Sequence, residues 1–355
     1  MREVRKISFK GKSIFVGIDV HKKSWKVCIY CEGVEHNPFS QDCSAEVLGK
    51  YLRRNFPDAD YYSVYEAGFC GYWVHEALIA EGIKNIVVNP ADVPTTDKEK
   101  RRKTDGVDCR KLARCLRNRE LSSINIPERV KQEDRSLVRL RTLMVKDQTR
   151  SKNRIKSALS LFGIVIPEEK VGSHWSKKYI EYLRIEIKKT GTLSETVELL
   201  LIDLEKKRMM VADVTKRIRQ LSLEPRYSKY VDLLRSVVGI SILTAMTILT
   251  EFGDFWKYKR LDQLVSYVGL TPDERSSGET ENRLSITKRG NKFLKHVIIE
   301  AAWTAVRKDP SLMLAYINYS KRMLKTKAII KIARKLVNRV RFVLMQEEEY
   351  KLSVI

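Results

Sequence analysis

Ile14-Phe15-Val16-Gly17-Ile18-Asp19 is a short β-rich run that ends on a carboxylate. The elements after it decide the fold. Ser24 to Tyr30 alternates polar and apolar residues, as a half-buried strand does. Glu32-Gly33 is a turn signal, and Val34 to Phe39 can return as a third strand. The pattern then changes to a helix from Ala45 to Asn55, a strand from Tyr61 to Tyr65 ending at Glu66, a helix from Tyr72 to Glu81 and a strand from Asn85 to Val88. A meander followed by crossovers predicts a mixed α/β sheet covered by helices.

In such sheets ligands gather beyond the carboxyl ends of strands, and Asp19 and Glu66 both stand at such ends. Lys103-Thr104-Asp105-Gly106-Val107-Asp108-Cys109-Arg110-Lys111-Leu112-Ala113 then opens a helix, read from Cys109 to about Arg119. The spacing puts Asp105 and Asp108 on one face, near a helix N-terminus whose partial positive charge favours anions. Capping alone explains two such acids. A metal pair is the competing reading, because hard carboxylate oxygens suit Mg²⁺ and leave room for a substrate phosphate. Four carboxylates on elements able to converge favour the metal, since crowded like charges are unfavourable without a cation.

The charge balance points the same way. The chain has 355 residues, 43% of them hydrophobic, with a net charge of +24. That excess predicts a polyanionic partner, nucleic acid before a membrane surface. No apolar run reaches the roughly 18 residues of a spanning helix, and the basic start of the chain lacks the apolar stretch of a signal peptide. All six cysteines lie in the first third and are expected to be reduced. Cys28-x-x-Cys31 sits inside a strand without a second pair at zinc spacing, so it reads as ordinary strand residues. The basic run Lys100, Arg101, Arg102, Lys103 arrives directly at the carboxylates and is expected to contact a nucleic-acid backbone.

Prolines mark the expected domain boundaries: 1–127, 128–225 and 226–355. The middle segment reads as two long helices, Glu133 to Phe162 and Leu193 to Leu221, with a shorter one from Trp175 to Lys188 between them. The Leu193–Leu221 segment keeps a heptad seam with one polar member, Lys207. Its partner is the 133–162 helix in a hairpin, or a second copy of the chain. Beyond Pro225, the segment around Gly239 resembles a helix-hairpin-helix, whose turn presents backbone N–H groups to phosphate. Ser241 stands where that motif has its second glycine, and an ordinary helix pair with a glycine turn is the alternative. Ser276-Ser277-Gly278 reads as a polar loop flanked by helices. The last helix, Lys325 to about Glu347, turns Ile329, Ile332, Ala333, Leu336, Val337, Val340 and Leu344 to a core.

Three segments carry a family resemblance: Gly17-Ile18-Asp19-Val20-His21-Lys22-Lys23, Tyr65-Glu66-Ala67-Gly68 and Lys103-Thr104-Asp105-x-x-Asp108-x-Arg110-x-Leu112-Ala113. Together they resemble the DEDD transposases of bacterial insertion sequences. The resemblance implies an RNase H-like, RuvC-like α/β N-terminal domain, a long helical coiled-coil hairpin, and an all-α C-terminal transposase domain. It implies that Asp19, Glu66, Asp105 and Asp108 hold Mg²⁺, or Mn²⁺, for work on phosphodiesters. It makes Ser277 a nucleophile that forms a phosphoserine link to DNA, with Ser276 as competitor, and gives Lys288 and Arg289 phosphate to hold. The implied partners are target and donor DNA, a structured noncoding bridge RNA, and further copies of the chain as a dimer or tetramer, in the bacterial cytoplasm and away from membranes. No P-loop signature is present, as expected if a covalent link conserves the phosphodiester energy. Two rival readings remain: a metal-dependent Holliday-junction-type endonuclease without a covalent serine, and a non-catalytic nucleic-acid binder.

Overall fold

The computed structural model describes residues 8–96, 104–165, 175–277, 280–287 and 289–352. The chain divides into two compact units, Met1–Ile126 and Pro127–Ile355.

The first unit is a five-stranded sheet in the order β3-β2-β1-β4-β5. Its strands are β1 (Ser13–Val20), β2 (Trp25–Cys31), β3 (Val34–Gln41), β4 (Asp60–Glu66) and β5 (Lys84–Val88). The first three pair antiparallel, and β4 and β5 join parallel to β1, as the change from meander to crossover pattern predicts. Alternation along β1 sorts its two faces. Ile14, Val16 and Ile18 are fully buried under α1 (Ala45–Asn55) and α2 (Trp73–Ala80), in one cluster with Leu48, Leu52 and Leu78. Gly17 belongs to the opposite face. There α3 (Asp105–Arg117) lies across β1, β2 and β4 and buries Cys109, Leu112 and Ala113.

Gly17 sets how closely α3 approaches. A Cβ built there would stand 2.1 Å from the carbonyl oxygen of Cys109 and 2.5 Å from the amide nitrogen of Ala113. Both are backbone atoms, so no side-chain rotation relieves the overlap. Glycine lets the helix rest on the strand itself, and Cys28 packs beside Cys109 and Ala113 on that face. Cys28 and Cys31 are three positions apart on β2 and so face opposite ways; all six cysteines are free thiols.

The second unit is mostly helical. Two long helices, α4 (Arg129–Leu161) and α6 (Thr192–Leu221), pack along each other, with α5 (Lys177–Ile187) between them in sequence. Bonds from Arg141 to Thr215 and from Lys207 to Ser151 show that they run antiparallel. Lys207, the polar member of the seam, bonds both Ser151 on the facing helix and Asp203 on its own, each at 2.7 Å. This polar layer separates two apolar clusters. One holds Ile155, Leu159, Leu183, Leu201 and Leu204; the other joins Val214 and Ile218 to the rest of the unit.

The remaining α-helices among the described residues are α7 (Ser228–Arg235), α8 (Ile242–Phe252), α9 (Leu261–Val268), α10 (Lys292–Lys308), α11 (Pro310–Ser320) and α12 (Lys325–Gln346). The apolar stripe foreseen on α12 is buried in full. The expectation of an all-α C-terminal domain is corrected: β6 (Pro272–Ser277) and β7 (Thr280–Ile286) form an antiparallel two-stranded sheet. The ladder runs to the pair Ser277 and Thr280. The polar composition of Pro272–Ile286 hid it, since only Leu284 and Ile286 mark an apolar alternation. No helix among the described residues is long and apolar enough to cross a membrane.

Candidate metal centre

In the β1–β4 register Gly17 pairs with Val64 and Ile18 with Tyr65, so Asp19 and Glu66 follow side by side where the parallel strands end. Both are one position on from residues of the α1/α2 face, which turns them toward α3. α3 begins at Asp105, four residues earlier than its sequence pattern indicates, with Thr104 preceding it in extended conformation. Asp105 and Asp108 therefore occupy its first turn, and the close seat on Gly17 holds that turn over the ends of β1 and β4.

The four acids meet in two pairs, each bridged by a basic side chain. His21 Nε2 lies 3.1 Å from Asp19 Oδ2 and 3.3 Å from Asp105 Oδ2. Lys111 Nζ lies 3.1 Å from Asp108 Oδ1 and 3.4 Å from Glu66 Oε1. Burial, and then the charges of Asp105 and Asp108, hold the Asp19 carboxyl above the ordinary aspartate range, although His21 pulls it down. Burial lowers the Lys111 pKa, but the hydrogen bond to Asp108 and the charge of Glu66 outweigh it and leave the ammonium above its usual value. Asp19, His21 and Asp105 each offer a ligand atom, and these atoms lie within 4.8 Å of one another. The donor set is hard oxygen with one imidazole, and its ligand atoms converge. The residues thus fit a divalent ion such as Mg²⁺ or Mn²⁺.

The thiols below α3 do not belong to this chemistry. Burial pushes Cys28 up to about 12 and Cys109 to about 11, so both stay protonated and act as packing groups.

Two residues of the site escaped the sequence reading. His21 stands past the strand end, and its one signal is its place two residues after Asp19. Lys111 looked like one more lysine in a basic helix; its signal is the i, i+3 spacing from Asp108 between the apolar positions Cys109 and Leu112.

The other expected site residues are dispersed. Lys100, Arg101, Arg102, Lys103 and Lys288 lie outside the described residues. Ser276 and Ser277 close β6, Ser277 pairing with Thr280. Arg289 is exposed, and its backbone amide donates to Thr287 Oγ1. Gly239 adopts φ +95°, and a Cβ there would come within 2.4 Å of the Ala301 carbonyl oxygen on α10. Close packing against α10 is thus one reason for glycine at this turn. Ser241 caps α8 by accepting from the Thr244 amide.

The base of the β6–β7 hairpin is firmly fixed. Gly269 and Gly290, both at positive φ, touch so closely that a Cβ on Gly290 would fall 2.6 Å from the Gly269 Cα. Thr287 N donates to Thr271 O, and Lys295 Nζ donates to Thr287 O. Beside it Glu251, fully buried, accepts two bonds from Arg139, at 2.6 and 2.7 Å, and one from Asn291 Nδ2 at 2.7 Å. Asn291 in turn caps α10 by accepting from the Phe293 and Leu294 amides.

Two family models match the chain. Residues 16–164 match a family model of the DEDD transposases of IS110 elements. Residues 231–318 match a second, described as the transposase IS116/IS110/IS902 family. The putative transposase y4qE of Sinorhizobium fredii is 28% identical over 303 residues, covering 82% of this chain and 72% of that protein. A second putative transposase of the same organism, y4rJ, is 25% identical over 368 residues, covering 92% and 90%. The transposase for insertion sequence element IS1111A of Coxiella burnetii is 22% identical over 316 residues, covering 85% and 80%. Asp19, Glu66, Asp105 and Asp108 all fall inside the first matched segment and Ser277 inside the second, and with both models matched in order the chain belongs to the IS110 family of insertion-sequence transposases.

Proposed function

We propose that this transposase is a recombinase whose Ser277 attacks a DNA phosphate while Asp19, Glu66, Asp105 and Asp108 form the metal centre beside it. The convergence of these four acids at one end of the sheet carries the reading. The sheet order, a three-stranded meander extended by two parallel strands, supports an RNase H-like, RuvC-type first unit. A divalent ion held at such a centre polarises phosphoryl oxygens and stabilises the leaving oxygen.

A serine hydroxyl is a weak nucleophile and needs an activating environment. In the proposed step the Ser277 Oγ–P bond forms as the bond from phosphorus to one sugar oxygen breaks. The serine gives up its proton and the sugar oxygen leaves as a hydroxyl. Attack by a sugar hydroxyl on the phosphoserine reverses the step and rejoins DNA without an external energy source. Lys288 and Arg289 hold phosphate oxygens near the hairpin, the run Lys100–Lys103 follows the backbone, and the Gly239 turn offers a further phosphate contact. The positive charge of the chain fits a structured RNA guide as well as DNA, with donor and target chosen by base pairing. The long helices serve assembly into dimers or tetramers.

The decisive experiment incubates the full-length protein and its copurifying RNA with end-labelled donor and target DNA and Mg²⁺, followed by denaturing gels. A protein-linked DNA end that disappears in Ser277→Ala and persists in Ser276→Ala is expected. Asp105→Asn should abolish cleavage and leave nucleic-acid affinity intact. Clean nicking that survives Ser277→Ala would establish the hydrolytic endonuclease instead, which the DEDD character of the matched family also favours. Absence of any specific copurifying RNA on sequencing would remove the guide from this reading.

A further inference from the structure

Both roots of the β6–β7 hairpin are tied to one buried residue. The entering root follows α9, and the leaving root ends where α10 begins. Tyr267, near the end of α9, donates its hydroxyl to the Glu251 backbone oxygen at 3.0 Å. Asn291, at the end of the leaving root, donates from Nδ2 to the Glu251 carboxylate at 2.7 Å, and its own amide donates to Tyr267 O. Glu251 sits in the last turn of α8. From the other side α4 reaches the same turn. Arg139 donates twice to the carboxylate and lies over the Phe293 ring of α10, 4.8 Å from its centroid, while Arg135 donates to Thr250 O. Arg135 and Arg139 are four positions apart and share one face of α4.

Arg139 alone supplies a donor to each carboxylate oxygen, as a bidentate guanidinium does. The third donor, Asn291, is therefore surplus to neutralising a buried charge, and it comes from the hairpin root. A buried charged network of this kind resists loosening, because a freed partner leaves an uncompensated charge.

We propose that Glu251 is the positioning residue of the serine hairpin: it locks both roots of β6–β7 to α4 and α10, so that the end of β6, which carries Ser277, is held in one place. The inference rests on the reading of Ser277 as the nucleophile.

Glu251→Gln tests it. The side chain keeps its shape, but three donors converge on it, so in either orientation its amide nitrogen faces one of them. Full-length protein with its copurifying RNA is followed for protein-linked DNA in single turnover, against DNA concentration, with the melting point of the second unit measured alongside. The maximal rate of link formation by folded Glu251→Gln is expected to fall about a hundredfold, the scale of a misplaced reacting group, with the half-saturating DNA concentration unchanged. Glu251→Gln/Asn291→Asp restores a donor–acceptor pair and keeps an acceptor for the α10 amides, and it is expected to recover most of the rate. A wild-type maximal rate in folded Glu251→Gln, a shift confined to the half-saturating concentration, or a double variant no faster than the single one would overturn the role of Glu251 and leave Ser277 standing. No protein-linked DNA from the wild type would remove the Ser277 reading and the inference with it. If Glu251→Gln does not fold, Tyr267→Phe makes the same test at the entering root: a lower maximal rate is expected, and an unchanged one overturns the proposal.

Discussion

The two units handle charge in opposite ways. In the second, Glu251 is fully buried, yet each carboxylate oxygen has a donor from Arg139 or Asn291. Asp309, also fully buried, is paired with Arg339 and caps α11 through the Leu312 amide. In the first, Asp19 and Asp105 share one imidazole between them and Asp19 is held at a raised pKa. Buried acids with matched donors belong to a scaffold; a half-buried acid and an exposed one sharing a single imidazole belong to a place where something else is to be held.

The sharpest way to break this contrast is to remove a matched partner from the scaffold. Glu251→Ala takes away the buried acceptor that Arg139 and Asn291 share and is expected to cost about 3–5 kcal/mol, read by urea denaturation as loss of the second unit's transition. Next comes Gly17→Ala. The overlap with the α3 backbone should cost ~3 kcal/mol, lowering the first unit's melting point and abolishing DNA cleavage together, because α3 can no longer bring Asp105 and Asp108 over Asp19. A divalent ion should then act on one side of the contrast only. At Mg²⁺ a hundredfold above its dissociation constant, the first unit gains about 2.7 kcal/mol, seen as an upward shift in its melting point. That shift should be missing in Asp19→Asn/Asp105→Asn, and the second unit's transition should not move.

The smallest effect is a pH dependence. A carboxyl with a raised folded pKa stabilises the fold only when protonated. For Asp19 that contribution is complete below the unfolded value near 3.8 and is lost as the pH climbs through the higher folded value. In chelator at neutral pH, Asp19→Asn is therefore expected to raise the first unit's melting point by ~1–2 °C. The gain should vanish toward pH 3, where the wild-type carboxyl is protonated too. A lowered melting point at pH 7 would mean that Asp19 is matched like Glu251, and the contrast would fail.

The sequence made the sheet legible because its strands obey simple periods. Ile14, Val16 and Ile18 alternate, Glu32-Gly33 turns, and the parallel strands are separated by helices of ordinary length. The acids were legible by spacing and by family likeness. The bridging bases were not, because His21 and Lys111 gain meaning only from residues far off in the chain. Glu66 meets Lys111 because α3 crosses the end of β4, and that crossing depends on a glycine whose role is invisible until the helix lies on it. The hairpin at Pro272–Ile286 failed for another reason: its strands carry too little apolar alternation to separate them from a loop. Lys207 lay between, recognised as a polar interruption of a seam, while its partner Ser151 on the antiparallel helix required the structure.

The polar layer formed by Lys207, Ser151 and Asp203 has a consequence for engineering. Apolar clusters lie on both sides of it, so the helical arm comprises a root and a tip that do not share a core. Excising seven residues from each strand of the arm across that layer would shorten it by about 10 Å without opening either end. The tip can thus be moved inward as a cassette, turning the length of the arm into an adjustable dimension of the molecule.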